Sequence, residues 1–133
     1  MEFNRKIAFI GAVIAALSVG IGAFGAHALK DLLETTQRTE TYETAVRYQF
    51  FHAIALLVLA ASGSALNMVQ NEMKRVAFCF ILGITVFSGS LYILCLSGIR
   101  WLGAITPIGG VAFIVGWLLW ALAMYRPAKQ NQS

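Results

Sequence analysis

Residues 7–28, IAFIGAVIAALSVGIGAFGAHA, form an apolar run that contains no Asp, Glu, Lys or Arg. A helix rises about 1.5 Å per residue, so about 20 such residues cross the roughly 30 Å hydrocarbon core of a bilayer. Three more runs follow, and together they predict transmembrane helices at about 7–28, 41–66, 76–96 and 102–125. The predicted fold is an all-α integral membrane four-helix bundle, one membrane domain over residues 1–133, with both termini on the same side.

The composition of the whole chain excludes most water-soluble classes. Its 133 residues are 59% hydrophobic, with a mean hydropathy of +0.73, which is too apolar for a soluble domain of this size. A membrane β-barrel would need segments of about ten residues that alternate between apolar and polar, and the four runs lack this alternation. The net charge of +4 comes from basic residues scattered over loops and ends. We therefore expect the lipid bilayer as a partner and no nucleic acid.

Small residues recur at steps of three and four in the first run and predict a face for close helix packing. The partner helix can belong to the same chain, which we favour, or to a second copy or another membrane protein. Ala26-His27-Ala28 also resembles a signal cleavage site, but the apolar run exceeds the usual length of about 7 to 15 residues, so we favour a membrane helix. The predicted packing residues lie in the first and fourth runs. They are Gly11, Ser18, Gly22 and Gly25, with Gly109 and Gly110.

The segments between the runs suggest how the chain lies in the membrane. The polar connection 29–40 is expected at the interface, Pro107 is expected to loosen the start of the fourth helix, and the tail 127–133 is expected to be disordered. Six basic residues fall on the side of the termini and four on the other side, which favours cytoplasmic termini. The two sets are Arg5, Lys6, Lys74, Arg75, Arg126 and Lys129, against Lys30, Arg38, Arg47 and Arg100.

One candidate site follows from the cost of placing ionisable side chains in lipid. His52 lies inside the second run, and imidazole binds metals and titrates near neutral pH. A hydrogen bond that simply satisfies the ring is the competing interpretation, and we favour it. No metal-ligand spacing, cofactor motif or catalytic constellation accompanies the histidines, so no metal, cofactor or catalytic residue is predicted. The candidate polar pocket comprises His27, Tyr48, His52, Ser90 and Tyr92.

Four motifs occur in order along the chain, at residues 22–29 (GAFGAHAL), 48–53 (YQFFHA), 89–92 (GSLY) and 106–110 (TPIGG). Together they resemble the YwdK/YgdD-like family of small bacterial inner-membrane proteins of unknown function, over nearly the whole chain. The resemblance implies a four-helix membrane protein and implies no reaction. The residues that fall on the family's motif positions are Gly25, His27, Tyr48, His52, Ser90, Tyr92, Pro107, Gly109 and Gly110.

Two hypotheses of different classes follow, and a third stays open. The first is a non-enzymatic multi-pass protein of the bacterial inner membrane that helps maintain the envelope by binding lipid or a protein partner. The alternative is a protein that binds or conducts a metal, a proton or a small solute through a polar pocket around His52 and His27. The third is an intramembrane enzyme that acts on lipid or quinone. If Tyr48 and His52 line a wet cavity, the second or third is favoured; if neighbours seal them, the first is.

Overall fold

The computed structural model describes residues 2–65 and 68–125, and within these ranges it is helical without strands. Four helical segments are long and apolar enough to cross a membrane: Glu2–Ala26, Thr39–Gly63, Gln70–Ser97 and Arg100–Tyr125. The predicted all-α four-span membrane bundle is confirmed. Its helices are α1 (Glu2–Ala26), α2 (Lys30–Thr35), α3 (Thr39–Ala65), α4 (Gln70–Gly83), a π-helical segment (Ile84–Ser88), α5 (Gly89–Ser97), a 3₁₀ turn (Arg100–Ala104) and α6 (Thr106–Tyr125).

Successive spans run antiparallel. Gly25 near the end of α1 lies against Tyr42 near the start of α3, whereas Gly11 lies against Ala53. Gly63 near the end of α3 lies against Met73 near the start of α4, and Gly109 and Gly116 of α6 lie against Phe87 and Phe80 in reverse order. Glu2 and Tyr125 therefore end on the same side, as predicted. We call this side the terminal end, and the opposite side, which carries α2 and the 3₁₀ turn, the loop end.

Two helices begin earlier than their apolar runs predict. The first span begins at Glu2 instead of about residue 7, and the third span begins with α4 at Gln70 instead of about residue 76. Acidic residues in both first turns, Glu2 and Glu72, suit the positive end of the helix dipole. The helices thus extend by polar turns that hydropathy alone does not reveal. The predicted end of the second helix at 66 and the tail 127–133 lie outside the described residues.

The other differences concern breaks within helical segments. The connection 29–40 contains the short helix α2, and the third span is interrupted by the π-helical segment. The fourth span starts as a 3₁₀ turn, and its α-helix begins at Thr106 rather than about residue 102. Pro107 lies in the first turn of α6, where helical backbone nitrogens have no intrahelical acceptor, so the proline costs no hydrogen bond.

Helix α1 packs on α3 through its small residues. A β-carbon at Gly11 would lie 3.0 Å from the carbonyl oxygen of Ala53, and one at Gly22 would lie 3.2 Å from Val46 Cγ1. Gly11, Ser18 and Gly25 are buried in this interface. Small side chains let the two backbones approach closely, which is how helices associate where lipid removes the usual hydrophobic drive. The small-residue face therefore packs within the same chain.

A second interface joins α4 and the π-helical segment to α6. A β-carbon at Gly109 would lie 2.8 Å from the backbone Cα of Phe87, and the rings of Phe113 and Phe80 fill the space beside Gly83 and Gly116. Rings and glycines thus interdigitate along this pair of helices. The buried side of α6 comprises Thr106, Gly109, Phe113, Gly116 and Trp120, at steps of three and four.

Candidate functional site

His52 lies on α3 among aromatic rings contributed by three spans. Its imidazole stacks on Phe113 with ring centroids 3.5 Å apart and planes at 12°, and the Phe80 ring meets it at 5.3 Å, edge to face. The residue is 5% exposed. Helices α3, α4 and α6 thus enclose the imidazole on several sides.

Both ring nitrogens of His52 have partners. The indole Nε1 of Trp117 donates to His52 Nε2 at 3.1 Å, and His52 Nδ1 lies 2.8 Å from the carbonyl oxygen of Tyr48. An indole N–H can only donate and a carbonyl can only accept, so Nε2 must carry a lone pair and Nδ1 a proton. The geometry therefore defines a neutral imidazole with one tautomer and leaves neither nitrogen available to a metal ion or a relayed proton.

The structure does not bring His27 and His52 together. His27 is exposed just beyond the end of α1, whereas Gln49, one turn before His52, contacts the carbonyl oxygen of Ile14. His27 lies thirteen residues beyond Ile14 along α1, which corresponds to about 20 Å. A joint pocket of the two histidines is therefore absent among the described residues.

Of the other predicted pocket residues, Tyr48 lies beside His52, with ring centroids 6.2 Å apart, and Ser90 and Tyr92 lie elsewhere. Tyr48 packs on Phe87 with ring centroids 4.6 Å apart and is 40% exposed, on the outside of the bundle. Ser90 forms a buried hydrogen bond of 2.8 Å with the hydroxyl of Thr106, which links α5 to α6. Tyr92 instead faces α3. The five predicted residues thus belong to four separate surroundings rather than to one pocket.

A polar chain that the prediction missed runs between α5, α3 and α1. The hydroxyl of Tyr92 donates to Gln49 Oε1 at 2.8 Å, and Gln49 Nε2 donates to the carbonyl oxygen of Ile14 at 3.4 Å. Tyr42 meets Tyr92 edge to face at 5.4 Å, and its hydroxyl donates to the carbonyl oxygen of Ile21 at 2.9 Å. Gln49 is 5% exposed. The signal that could have indicated this chain is an uncharged polar residue, Gln49, directly before the apolar part of α3.

A cleft with a volume of about 670 Å³ lies between α1, α2 and α3. We call it the α1–α3 cleft. Its walls are mainly apolar, and four charged side chains lie along it. The apolar wall includes Val19, Gly22, Gly25, Leu33, Val46 and Phe50, and the charged residues are Lys30, Glu34, Glu43 and Arg47.

The local sequence explains why this cleft stays open. Small residues on α1 leave space, and α2 turns back over the loop end, held by the buried side chain of Leu33. The cleft extends from Ala26 down to Ser18, eight residues or about 12 Å along α1. The Ser18 hydroxyl donates to the carbonyl oxygen of Ile14 at 2.8 Å, so it is already satisfied within its own helix. The deep part of the cleft therefore presents mainly apolar surface.

Neither Tyr48 nor His52 lines this cleft. His52 is sealed by its neighbours, which is the arrangement expected for a structural role. Among the described residues, no group of three His, Cys, Asp or Glu side chains is placed to hold a metal ion. The arrangement of the cleft, apolar below with charges of both signs above, fits an amphiphilic molecule better than an ion.

A model of the family described as "Protein of unknown function (DUF423)" matches residues 21–110. This match covers more than half of the chain and includes α2, α3, α4 and α5. The chain belongs to the DUF423 family. The resemblance that the four sequence motifs indicated is thereby confirmed.

Several bacterial relatives are similar over most of their length. A UPF0382 membrane protein of Staphylococcus saprophyticus is 43% identical over 117 residues, 88% of this chain and 94% of the relative. One of Staphylococcus epidermidis is 45% identical over 114 residues, 86% and 90% of the two chains. The UPF0382 membrane protein YwdK of Bacillus subtilis is 41% identical over 114 residues, 86% and 91%. No solved structure matches the chain. The DUF423 chain is thus a multi-pass membrane protein with bacterial relatives.

Proposed function

We propose that this DUF423 protein is a non-enzymatic protein of the bacterial inner membrane that binds a single membrane lipid in the α1–α3 cleft and so contributes to envelope maintenance. The observation that carries the proposal is the cleft itself, with about 670 Å³ between helices and charges along apolar walls. Such a volume falls within the range of small-molecule sites, about 300–1,000 Å³. Apolar walls would accommodate acyl chain, and the charged side chains would meet a headgroup.

The position of the cleft along the helices supports this occupant. Glu40, Glu43 and Arg47 occupy the first turns of α3, and its apolar part begins at Phe50. Charged side chains are costly in hydrocarbon and are tolerated near helix ends, where they reach the interface. This pattern supports a position of the cleft at the depth where headgroups give way to acyl chains.

The proposed orientation places the terminal end in the cytoplasm and the cleft in the outer leaflet. Basic residues near the terminal end include Arg5, Lys6, Lys74 and Arg75, and an excess of Lys and Arg favours the cytoplasmic side. The alternative function, binding or conduction at His52, finds less support because both of its ring nitrogens are already bonded.

Native mass spectrometry of protein released from lipid nanodiscs tests lipid binding. Ala23 lines the cleft from α1, so an indole at this position in an Ala23→Trp variant would occupy the space of the acyl chain. Ala16 is exposed on the same helix two turns away and lies outside the cleft, which makes Ala16→Trp the matched control. We expect one retained lipid per subunit in the wild type and in Ala16→Trp, and a loss of at least fivefold in Ala23→Trp.

The same spectra contain the outcomes that contradict the proposal. Equal lipid retention in all three proteins would show that bound lipid does not occupy the cleft. A wild-type dimer that Ala23→Trp converts to a monomer, with no lipid retained, would assign the cleft to a second copy of the chain. Circular dichroism spectra of the three proteins establish that they are equally folded.

A further inference from the structure

We propose that the α1–α3 cleft selects a phospholipid whose headgroup carries both a phosphate and a primary ammonium group. This inference rests on the proposed lipid-binding function and goes further by naming the chemistry of the headgroup. It is drawn from the order, the pairing and the balance of the charged side chains along the cleft.

The order of side chains along α3 matches the order of groups in such a lipid. Glu43, Arg47 and Phe50 all line the cleft, and each lies deeper from the loop end than the one before. Glu43 and Arg47 are four residues apart, about 6 Å along the helix. In a phospholipid of the proposed class, the ammonium is at the free end of the headgroup, the phosphate comes next and the acyl chains are deepest. Carboxylate, guanidinium and phenyl ring therefore face ammonium, phosphate and acyl chain in turn.

Glu43 and Arg47 are free to meet a ligand. A glutamate four residues before an arginine on a helix commonly forms an ion pair, yet among the described residues neither Glu43 nor Arg47 is part of one. Both α3 side chains are exposed. A guanidinium binds phosphate through two parallel N–H donors, and a carboxylate accepts N–H bonds from an ammonium.

Helix α2 contributes two further charged residues to the lining of the cleft, and these are only loosely associated with each other. Lys30 Nζ and Glu34 Oε1 are 3.9 Å apart, beyond hydrogen-bond distance, and their side chains are 61% and 59% exposed. An exposed pair of this kind contributes little to stability and can exchange its partners for a ligand at small cost. The cleft thus contains two cations and two anions that remain available.

The balance of these charges argues against an anionic headgroup. Lys30 and Arg47 are offset by Glu34 and Glu43. Arg38, the nearest further cation in the sequence, donates instead to the carbonyl oxygen of Cys95 at 3.2 Å. A phosphate alone would leave two carboxylates facing a negative ligand, whereas a headgroup with both charges satisfies both signs.

Competition among three lipids in nanodiscs tests the proposal, again with native mass spectrometry as the readout. The probes are phosphatidylethanolamine, phosphatidylcholine, whose quaternary nitrogen donates no N–H bond, and the anionic phosphatidylglycerol, all with identical acyl chains at equal concentration. Phosphatidylcholine has no N–H to donate to Glu43 and phosphatidylglycerol has no cation, so at this exposed site we expect about a fivefold excess of bound phosphatidylethanolamine over each competitor. Since Glu43 is the proposed ammonium partner, Glu43→Gln should remove most of the excess over phosphatidylcholine.

Glu40→Gln is the matched control, because Glu40 is an exposed carboxylate on the same helix that does not line the cleft, and it should leave the excess unchanged. If one lipid binds and Ala23→Trp expels it, but the three headgroups compete equally, the headgroup inference is overturned and the proposed function stands. A preference for phosphatidylglycerol overturns the inference in the same way. If Ala23→Trp changes nothing, both are overturned.

Discussion

Helix α3 contributes to two regions that differ in how their polar groups are satisfied. Around His52, aromatic rings and two hydrogen bonds close every approach to the imidazole. In the α1–α3 cleft, Glu43 and Arg47 lie exposed beside apolar walls. A buried polar group that already has its partners stabilises the fold, whereas unpaired charges beside a cavity remain available for a ligand. His52 is the more conspicuous residue in the sequence, but its surroundings are those of a structural residue.

The largest loss of stability is expected for a substitution at Gly109, where α6 packs closely on the backbone beside the aromatic rings around His52. In Gly109→Leu, the new side chain would meet the backbone of Phe87, which cannot move aside as a side chain could. Overpacking typically costs about 1–3 kcal/mol and more where the backbone is involved, so we expect unfolding or a loss of at least about 3 kcal/mol. Denaturation with sodium dodecyl sulfate, followed by circular dichroism, measures it. Gly20→Leu is the control, since nothing lies within 4 Å of a β-carbon there, and equal losses would contradict the packing argument.

A smaller loss is expected for His52→Ala. The substitution removes the ring stacked on Phe113 and leaves the Trp117 N–H without its acceptor. Cavity formation and a lost hydrogen bond together cost about 2–3 kcal/mol. The same denaturation assay gives this value, and Ile54→Ala, on the exposed side of the same helix, should cost much less. Lipid retention by folded His52→Ala should equal that of the wild type. If this variant folds but retains less lipid, the lipid site lies at the aromatic cluster around His52 and not in the α1–α3 cleft.

The smallest effect is expected for Tyr92→Phe, which removes only the hydroxyl that donates to Gln49 Oε1. Hydrogen bonds between membrane helices contribute about 0.6 kcal/mol on average and up to about 1.7, so we expect a loss of about 0.5–1.5 kcal/mol. A double-mutant cycle with Gln49→Leu isolates the pair. If the two losses simply add, the two side chains do not stabilise the fold through their contact.

The sequence predicted where the membrane spans lie better than which side of each helix packs on protein. Helix α6 shows why. Apolar residues cover all sides of a membrane helix, so hydropathy cannot distinguish a side that packs on protein from one that contacts lipid. Residue size could do so, because Gly109, Phe113, Gly116 and Trp120 recur at steps of three and four on the buried side. Trp117 is not among the residues of the predicted pocket, yet it donates to His52, a contact between residues far apart in the chain.

The candidate site was less predictable than the fold. The histidines drew attention because ionisable groups are costly in lipid, but contacts that the sequence does not reveal remove this cost for His52, and His27 is exposed beyond the end of α1. The cleft depends on where α2 turns, and its residues were assigned only to a polar connection and a helix start. The small residues Gly22 and Gly25 were recognised, but as packing positions and not also as walls of a cavity.

The sequence by itself determined the number of spans, their antiparallel order and the membership in the DUF423 family, because apolar length and local motifs are properties of contiguous residues. Only the tertiary structure decided that His52 is sealed and that Glu43 and Arg47 lie free beside a cavity. Hydrogen bonds and cavities arise between helices that are distant in sequence. Their existence depends on the packing of α1, α3, α4 and α6 against one another.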